Sequence, residues 1–109
     1  MQSHQDIEAT ELNELMAHGR LRLVDVRNDD EVKRGIIPSA VHIPLAQIPA
    51  RLDHLVEGEE PLVFYCHSGI RSAQAAAFIA GNGRSGPVYN LRGGVLAWGK
   101  AGYAFGPKS

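Results

Sequence analysis

Cys66 is the only cysteine of this 109-residue chain, and it is followed by His67, Ser68, Gly69, Ile70, Arg71 and Ser72. A thiol with an ordinary pKa of about 8.5 is only a few per cent thiolate near neutral pH, so nucleophilic chemistry at Cys66 requires donors that stabilise the anion. Lowering the pKa by about two units takes roughly 2.7 kcal/mol. A helix N-terminus supplies about 0.3–1 kcal/mol, whereas a hydrogen bond to a charged group is worth about 1.5–3 kcal/mol. Converging N–H groups of the loop, with the Ser68 and Ser72 hydroxyls as helpers, should therefore outweigh both the helix dipole and the upward push of burial, and they predict a lowered thiol pKa. The plainer reading of a cysteine at the end of an apolar strand is a small buried hydrophobe with no chemistry. Such a residue needs none of the polar residues that follow Cys66.

Arg71 suits bidentate contact with a substrate anion and, equally, with a neighbouring carboxylate as a structural clamp; the sequence leaves both open. His67 is adjacent to the nucleophile, and adjacent side chains rarely face each other, so it is expected to contribute its backbone N–H rather than act as a base. Asp25 and Arg27 lie at the carboxyl end of a strand, where α/β sites form, and are read as supports of the site. Gly93 and Gly94 suit a tight strand-to-helix turn, since no phosphate-loop pattern surrounds them. No Cys/His cluster has metal-ligand spacing, and His4, His18 and His54 are expected to be solvated.

The elements that must hold this loop alternate along the chain. Leu62 to Tyr65 is an apolar run with the length and residue types of a buried parallel strand, and the Ala-rich stretch beyond Arg71 is a strong helix former. Strand, tight turn and helix place Cys66 at the carboxyl edge of an open sheet, with free N–H groups around it. Upstream, a short first strand at Ile7, a helix capped at Thr10 and stopped by Gly19, a strand over 21–26, a short helix from Asn28 to Lys33 and a strand over 41–43 are predicted. Leu45, Ile48, Leu52, Leu55 and Val56 have helical spacing, with Pro49 in the first turn or kinking it. Ala73, Ala76, Ala77 and Ala80 form one stripe of the Ala-rich helix and Ala75, Phe78 and Ile79 a second, which predicts burial on most sides. The segment 81–87 is a loop, 88–91 a strand and 93–100 a helix anchored by Trp98. The alternation implies a three-layer α/β sandwich, with a central, mainly parallel five-stranded sheet covered by helices on both faces.

Composition narrows the classes. One domain over 1–109 fits the length, and 44% hydrophobic with 21% charged residues is an ordinary globular balance. A net charge of −1 gives no footprint for nucleic acid or an anionic membrane. No apolar run reaches membrane-spanning length and the first residues carry no signal-peptide pattern, so neither membrane insertion nor secretion is expected. A single cysteine excludes an internal disulfide and fits a reducing, cytoplasmic setting.

The blocks DVR at 25–27, CHSGIRS at 66–72 and NLRGGVLAW at 90–98, in that order and spacing, resemble a single-domain rhodanese of the thiosulfate sulfurtransferase family over about residues 7–105. The resemblance implies a rhodanese-like fold, a six-residue active loop and a persulfide carried on Cys66. It further implies that Cys66 takes the outer sulfur of thiosulfate or a similar donor, with sulfite leaving, and passes it to cyanide or another thiophilic acceptor. Arg71 would then face a sulfonate, and residues 67–72 would bind the substrate. Partners would be a small-molecule donor and acceptor or a protein persulfide, with no cofactor. The chain departs from the family pattern at GIIPSA, residues 35–40, where GHIPGA is usual, and at GRSGP before Val88, where a Gly-aromatic pair is usual. Rival readings are a rhodanese-like phosphatase or arsenate reductase and a non-catalytic binding module. The phosphatase signature has five residues between Cys and Arg, whereas His67 to Ile70 make four, and a tetrahedral phosphoryl oxyanion needs a wider ring of donors.

Overall fold

The computed structural model describes residues 3–108. Its strands are β1 (Gln5–Ile7), β2 (Arg22–Asp25), β3 (Val41–His42), β4 (Leu62–Tyr65) and β5 (Val88–Leu91), in one sheet of order β1-β5-β4-β2-β3. Every pairing is parallel. The α-helices are α1 (Ala9–His18), α2 (Asp29–Val32), α3 (Leu52–Val56), α4 (Ile70–Gly81) and α5 (Gly94–Lys100). β4 lies at the centre and all four of its residues are buried, as a strand covered on both faces requires.

Strand alternation sorts the core into two layers. Leu62, Phe64 and Cys66 point to one side, where they pack with Ala75, Ala76 and Ile79 of α4 and Leu55 of α3. Val63 and Tyr65 point to the other, among Leu12 of α1 and Trp98 of α5. The same parity that buries Phe64 puts the Cys66 side chain on the α4 side, next to that helix's first turn.

Several boundaries differ from expectation. Glu8, not Thr10, caps α1, because Glu8 and Glu11 exchange hydrogen bonds in a reciprocal capping box that Thr10 lies inside. Residues 45–56 do not form one kinked helix. Leu45–Gln47 and Pro49–Arg51 are separate 3-10 turns that precede α3, since Pro49 cannot donate the N–H a continuous helix needs there. The helix α4 is buried along Ser72, Ala75, Ala76, Ile79 and Ala80 only, while Ala77 and Phe78 face solvent. One side of α4 meets the sheet and α3, and among the described residues nothing covers the other. Among the described residues no helix is long and apolar enough to cross a membrane.

Candidate active site

The loop from Cys66 to Ser72 turns back on its own sulfur. Gly69 has φ 102°, open to glycine but strained for other residues, and this turn aims its N–H at Cys66 Sγ at 3.1 Å. The Ser72 N–H follows at 3.5 Å and the Ser72 Oγ at 3.3 Å. Burial pushes the Cys66 thiol up, and the donors from Ser72, Gly69 and Ser68 together outweigh it, so the thiol lies below its ordinary value. Cys66 and Ser72 are buried, while Ser68 is exposed and contributes its N–H rather than its hydroxyl. Ile70 is 71% exposed, an apolar side chain beside the loop.

Arg71 lies against Glu31 of α2, with Nη1 donating to Oε1 at 2.7 Å and Nη2 to Oε2 at 2.9 Å. Of the two arrangements left open by its type, the bidentate pair with a carboxylate is the one present. Asp25 and Arg27 form a fork at the end of β2, with Nε 3.0 Å from both carboxylate oxygens and Nη2 2.8 Å from Oδ2. Arg27 also donates to the Gly35 carbonyl at 2.7 Å and lies over the Tyr65 ring at 5.8 Å. These two residues brace the chain next to β4 and make no hydrogen bond to Cys66. The exposed His67 lines a cleft of about 220 Å³ together with Arg27, Glu31, Arg34, Gly35, Val95 and Phe105. A larger hollow of about 360 Å³ opens beside Gly19, Arg20 and Leu21, before β2 begins and away from the sulfur.

The paired glycines do more than turn the chain. Gly93 and Gly94 have φ of 77° and 56°, and α5 then begins against the active loop, with the Val95 N–H on the Cys66 carbonyl at 2.9 Å and the Leu96 N–H on the His67 carbonyl at 3.2 Å. A Cβ at Gly94 would meet the Cys66 carbonyl oxygen and lie 2.5 Å from that of His67, so only glycine lets the two backbones approach. Besides Glu31, two residues of this site escaped the sequence reading. Asn90 of β5 accepts from Ser72 Oγ at 2.6 Å, and His42 Nε2 lies 2.7 Å from the Arg27 carbonyl. The NLRGG block contained Asn90, but its neighbours gave no reason to point it at a residue 18 positions earlier.

The arrangement can hold a sulfur anion in a tight ring of N–H donors at the carboxyl end of the central strand. The chain is 38% identical over 98 residues to a sulfurtransferase of Allochromatium vinosum, covering 89% of this chain and 90% of that one. It is 34% identical over 105 residues to the thiosulfate:glutathione sulfurtransferase of Homo sapiens, covering 84% and 90%. A rhodanese-like domain protein from Staphylococcus aureus superposes with a TM-score of 0.78 at 32% identity over the full length of both chains. With the match to the rhodanese-like domain running over residues 8–101, the chain belongs to the rhodanese-like family.

Proposed function

We propose that the protein is a sulfurtransferase that moves a sulfane sulfur from thiosulfate or a similar donor to cyanide or another thiophilic acceptor through a persulfide on Cys66. The observation that carries this reading is the set of donors on Cys66 Sγ, the N–H of Gly69 at 3.1 Å foremost. The Cys66 thiolate attacks the outer sulfur of the donor, the donor's S–S bond breaks and sulfite leaves with the bonding pair. The acceptor then attacks the outer sulfur of the persulfide, and the Cys66 thiolate leaves into the same N–H ring. A negative sulfur is present at both ends of the cycle, and the N–H groups are already aimed at it, so no reorganisation is required. The four-residue spacing between Cys66 and Arg71 supports sulfur over phosphoryl chemistry, and the pairing of Arg71 with Glu31 supports the clamp role for Arg71 in the resting protein. A single free thiol suits a reducing, cytoplasmic setting.

Thiocyanate formation from thiosulfate and cyanide tests the proposal. Wild type should turn over and Cys66→Ser should not, and mass spectrometry after thiosulfate alone should find one added sulfur on wild type only. Equal rates in the two proteins, or Cys66-dependent release of phosphate from aryl phosphates without any thiocyanate, would overturn it.

A further inference from the structure

The oxygen of Ser72 stands between two acceptors, Cys66 Sγ at 3.3 Å and Asn90 Oδ1 at 2.6 Å, and a serine has one hydroxyl proton to give. The Asn90 amide cannot turn over to relieve this competition. Its Nδ2 donates to the Gly69 carbonyl at 3.2 Å and to Asp6 Oδ1 at 3.3 Å, and a reversed amide would set oxygen against both. Oδ1 therefore faces Ser72, and the shorter distance assigns it the proton. The Ser72 oxygen is left with lone pairs toward the sulfur, where the S–H of a neutral thiol donates to it. For Ser72 to donate to a thiolate instead, its hydroxyl must turn away from Oδ1. That strands a buried acceptor, at the desolvation cost of an unpaired amide oxygen.

We propose that Asn90 is a positioning residue for Cys66: it holds the hydroxyl proton of Ser72 away from the sulfur, so that Ser72 accepts from the neutral thiol rather than donating to the thiolate. Stabilisation of the anion then falls to the N–H groups of Gly69, Ser72 and Ser68. The consequence for turnover rests on the sulfur-transfer reading above. In a double displacement Cys66 is first nucleophile and then leaving group; a lower thiol pKa helps it leave in the second step and raises the thiolate fraction for the first, while making each thiolate a weaker nucleophile. Asn90 sets that balance through Ser72, with no hydrogen bond of its own to the sulfur. The charged and titratable groups around Cys66 are Arg71 of α4 with Glu31 of α2, Asp25 and Arg27 beyond β2, His67 in the loop and Asp6 of β1 behind Asn90. Substitution at Ser72 or Asn90 leaves all of them in place.

The test is the rate of alkylation by iodoacetamide against pH, after cyanide has removed any persulfide, for wild type, Asn90→Ala, Ser72→Ala and the double variant. Asn90→Ala should lower the titration midpoint by about one pH unit, a tenfold gain in thiolate at a given lower pH, because the hydroxyl is released to the sulfur. In the Ser72→Ala background the same substitution should move the midpoint by less than a third as much. Loosening of Gly69 through its lost bond to Nδ2 is common to both backgrounds and cancels. Equal shifts in the two backgrounds, no shift, or an upward shift overturns the proposal. Should Asn90→Ala fail to fold, Asn90→Asp decides: it holds the hydroxyl more tightly, and the midpoint must rise more with Ser72 present than absent. The titration needs no sulfur donor. A wild type that titrates as expected yet forms no thiocyanate would sink the sulfur-transfer reading and leave the Asn90 role standing.

Discussion

Glu31 shows how one residue can serve the loop from a distant part of the chain. Hydrogen bonding from Arg71 holds its carboxyl down to about 2, with burial opposing and the Asn28 N–H assisting. A folded value below the unfolded one means that the pair stabilises the protein fully above the ordinary carboxylate range and loses its contribution as pH falls toward that lower value. Glu31→Gln should therefore cost about 1–2 kcal/mol of unfolding free energy near neutral pH, and the gap from wild type should narrow as pH falls from about 4 toward about 2. Urea unfolding across that range checks this, and a gap that persists unchanged at the acid end would show that the ionised carboxylate is not responsible. At this scale Cys66, Gly69 and Ser72 were legible, because loop chemistry within seven residues declares itself by type and order. Glu31, 40 positions from Arg71, and Asn90 were not, because only folding sets their distances.

Among the elements, the start of α5 is the part on which the loop leans. A methyl group at Gly94 would force the Cys66 and His67 carbonyls away from the Val95 and Leu96 N–H groups, so Gly94→Ala should lower thiocyanate formation at least tenfold and reduce stability by about 2 kcal/mol or more. Full activity in that variant would show that the loop holds its shape without α5. The turn after Ile37 invites the reverse experiment. Ser39 has φ 77°, the only non-glycine residue with positive φ among the described residues, and it occupies the second glycine of the usual GHIPGA pattern. Relief of strain there is partly offset by the greater freedom of an unfolded glycine, so Ser39→Gly should stabilise by about 0.5–1 kcal/mol in thermal unfolding. The alternation of elements was readable from periodicity. The break of residues 45–56 into turns and α3 was less so, since apolar spacing does not distinguish a helix from successive 3-10 turns that bury the same side chains.

At the scale of the molecule, Arg84 joins the segments that lie before β4 and β5. It is fully buried, and its guanidinium donates to the carbonyls of Leu55 at 3.0 Å and Glu60 at 2.7 Å and to Glu60 Oε1 at 2.7 Å. Arg84→Ala removes the donor from several buried carbonyls and leaves a cavity, and should cost about 3–5 kcal/mol. Arg84→Phe, which restores the aromatic usual in the family, fills the space but not the hydrogen bonds and should recover less than half of that loss. Denaturant unfolding of both measures it, and full recovery by phenylalanine would mean that volume, not hydrogen bonding, is what the position requires. In sequence this arginine sits in a loop among Gly, Asn and Ser, and nothing there points to its burial.

What the sequence determined by itself was local and periodic: an apolar strand before Cys66, a donor-rich loop after it, a helix beyond, and the alternation that demands a parallel sheet between helical layers. These follow from side-chain period, turn chemistry and helix propensity, which act over a few residues. The tertiary structure alone decided the strand order β1-β5-β4-β2-β3. By setting β5 beside β4 it brought Asn90 to Ser72 and α5 to the Cys66 carbonyl, and it seated α2 so that Glu31 meets Arg71. Parallel strands need crossover connections, so the residues that meet at the carboxyl edge of the sheet come from separate crossovers, and no spacing rule along the chain relates them.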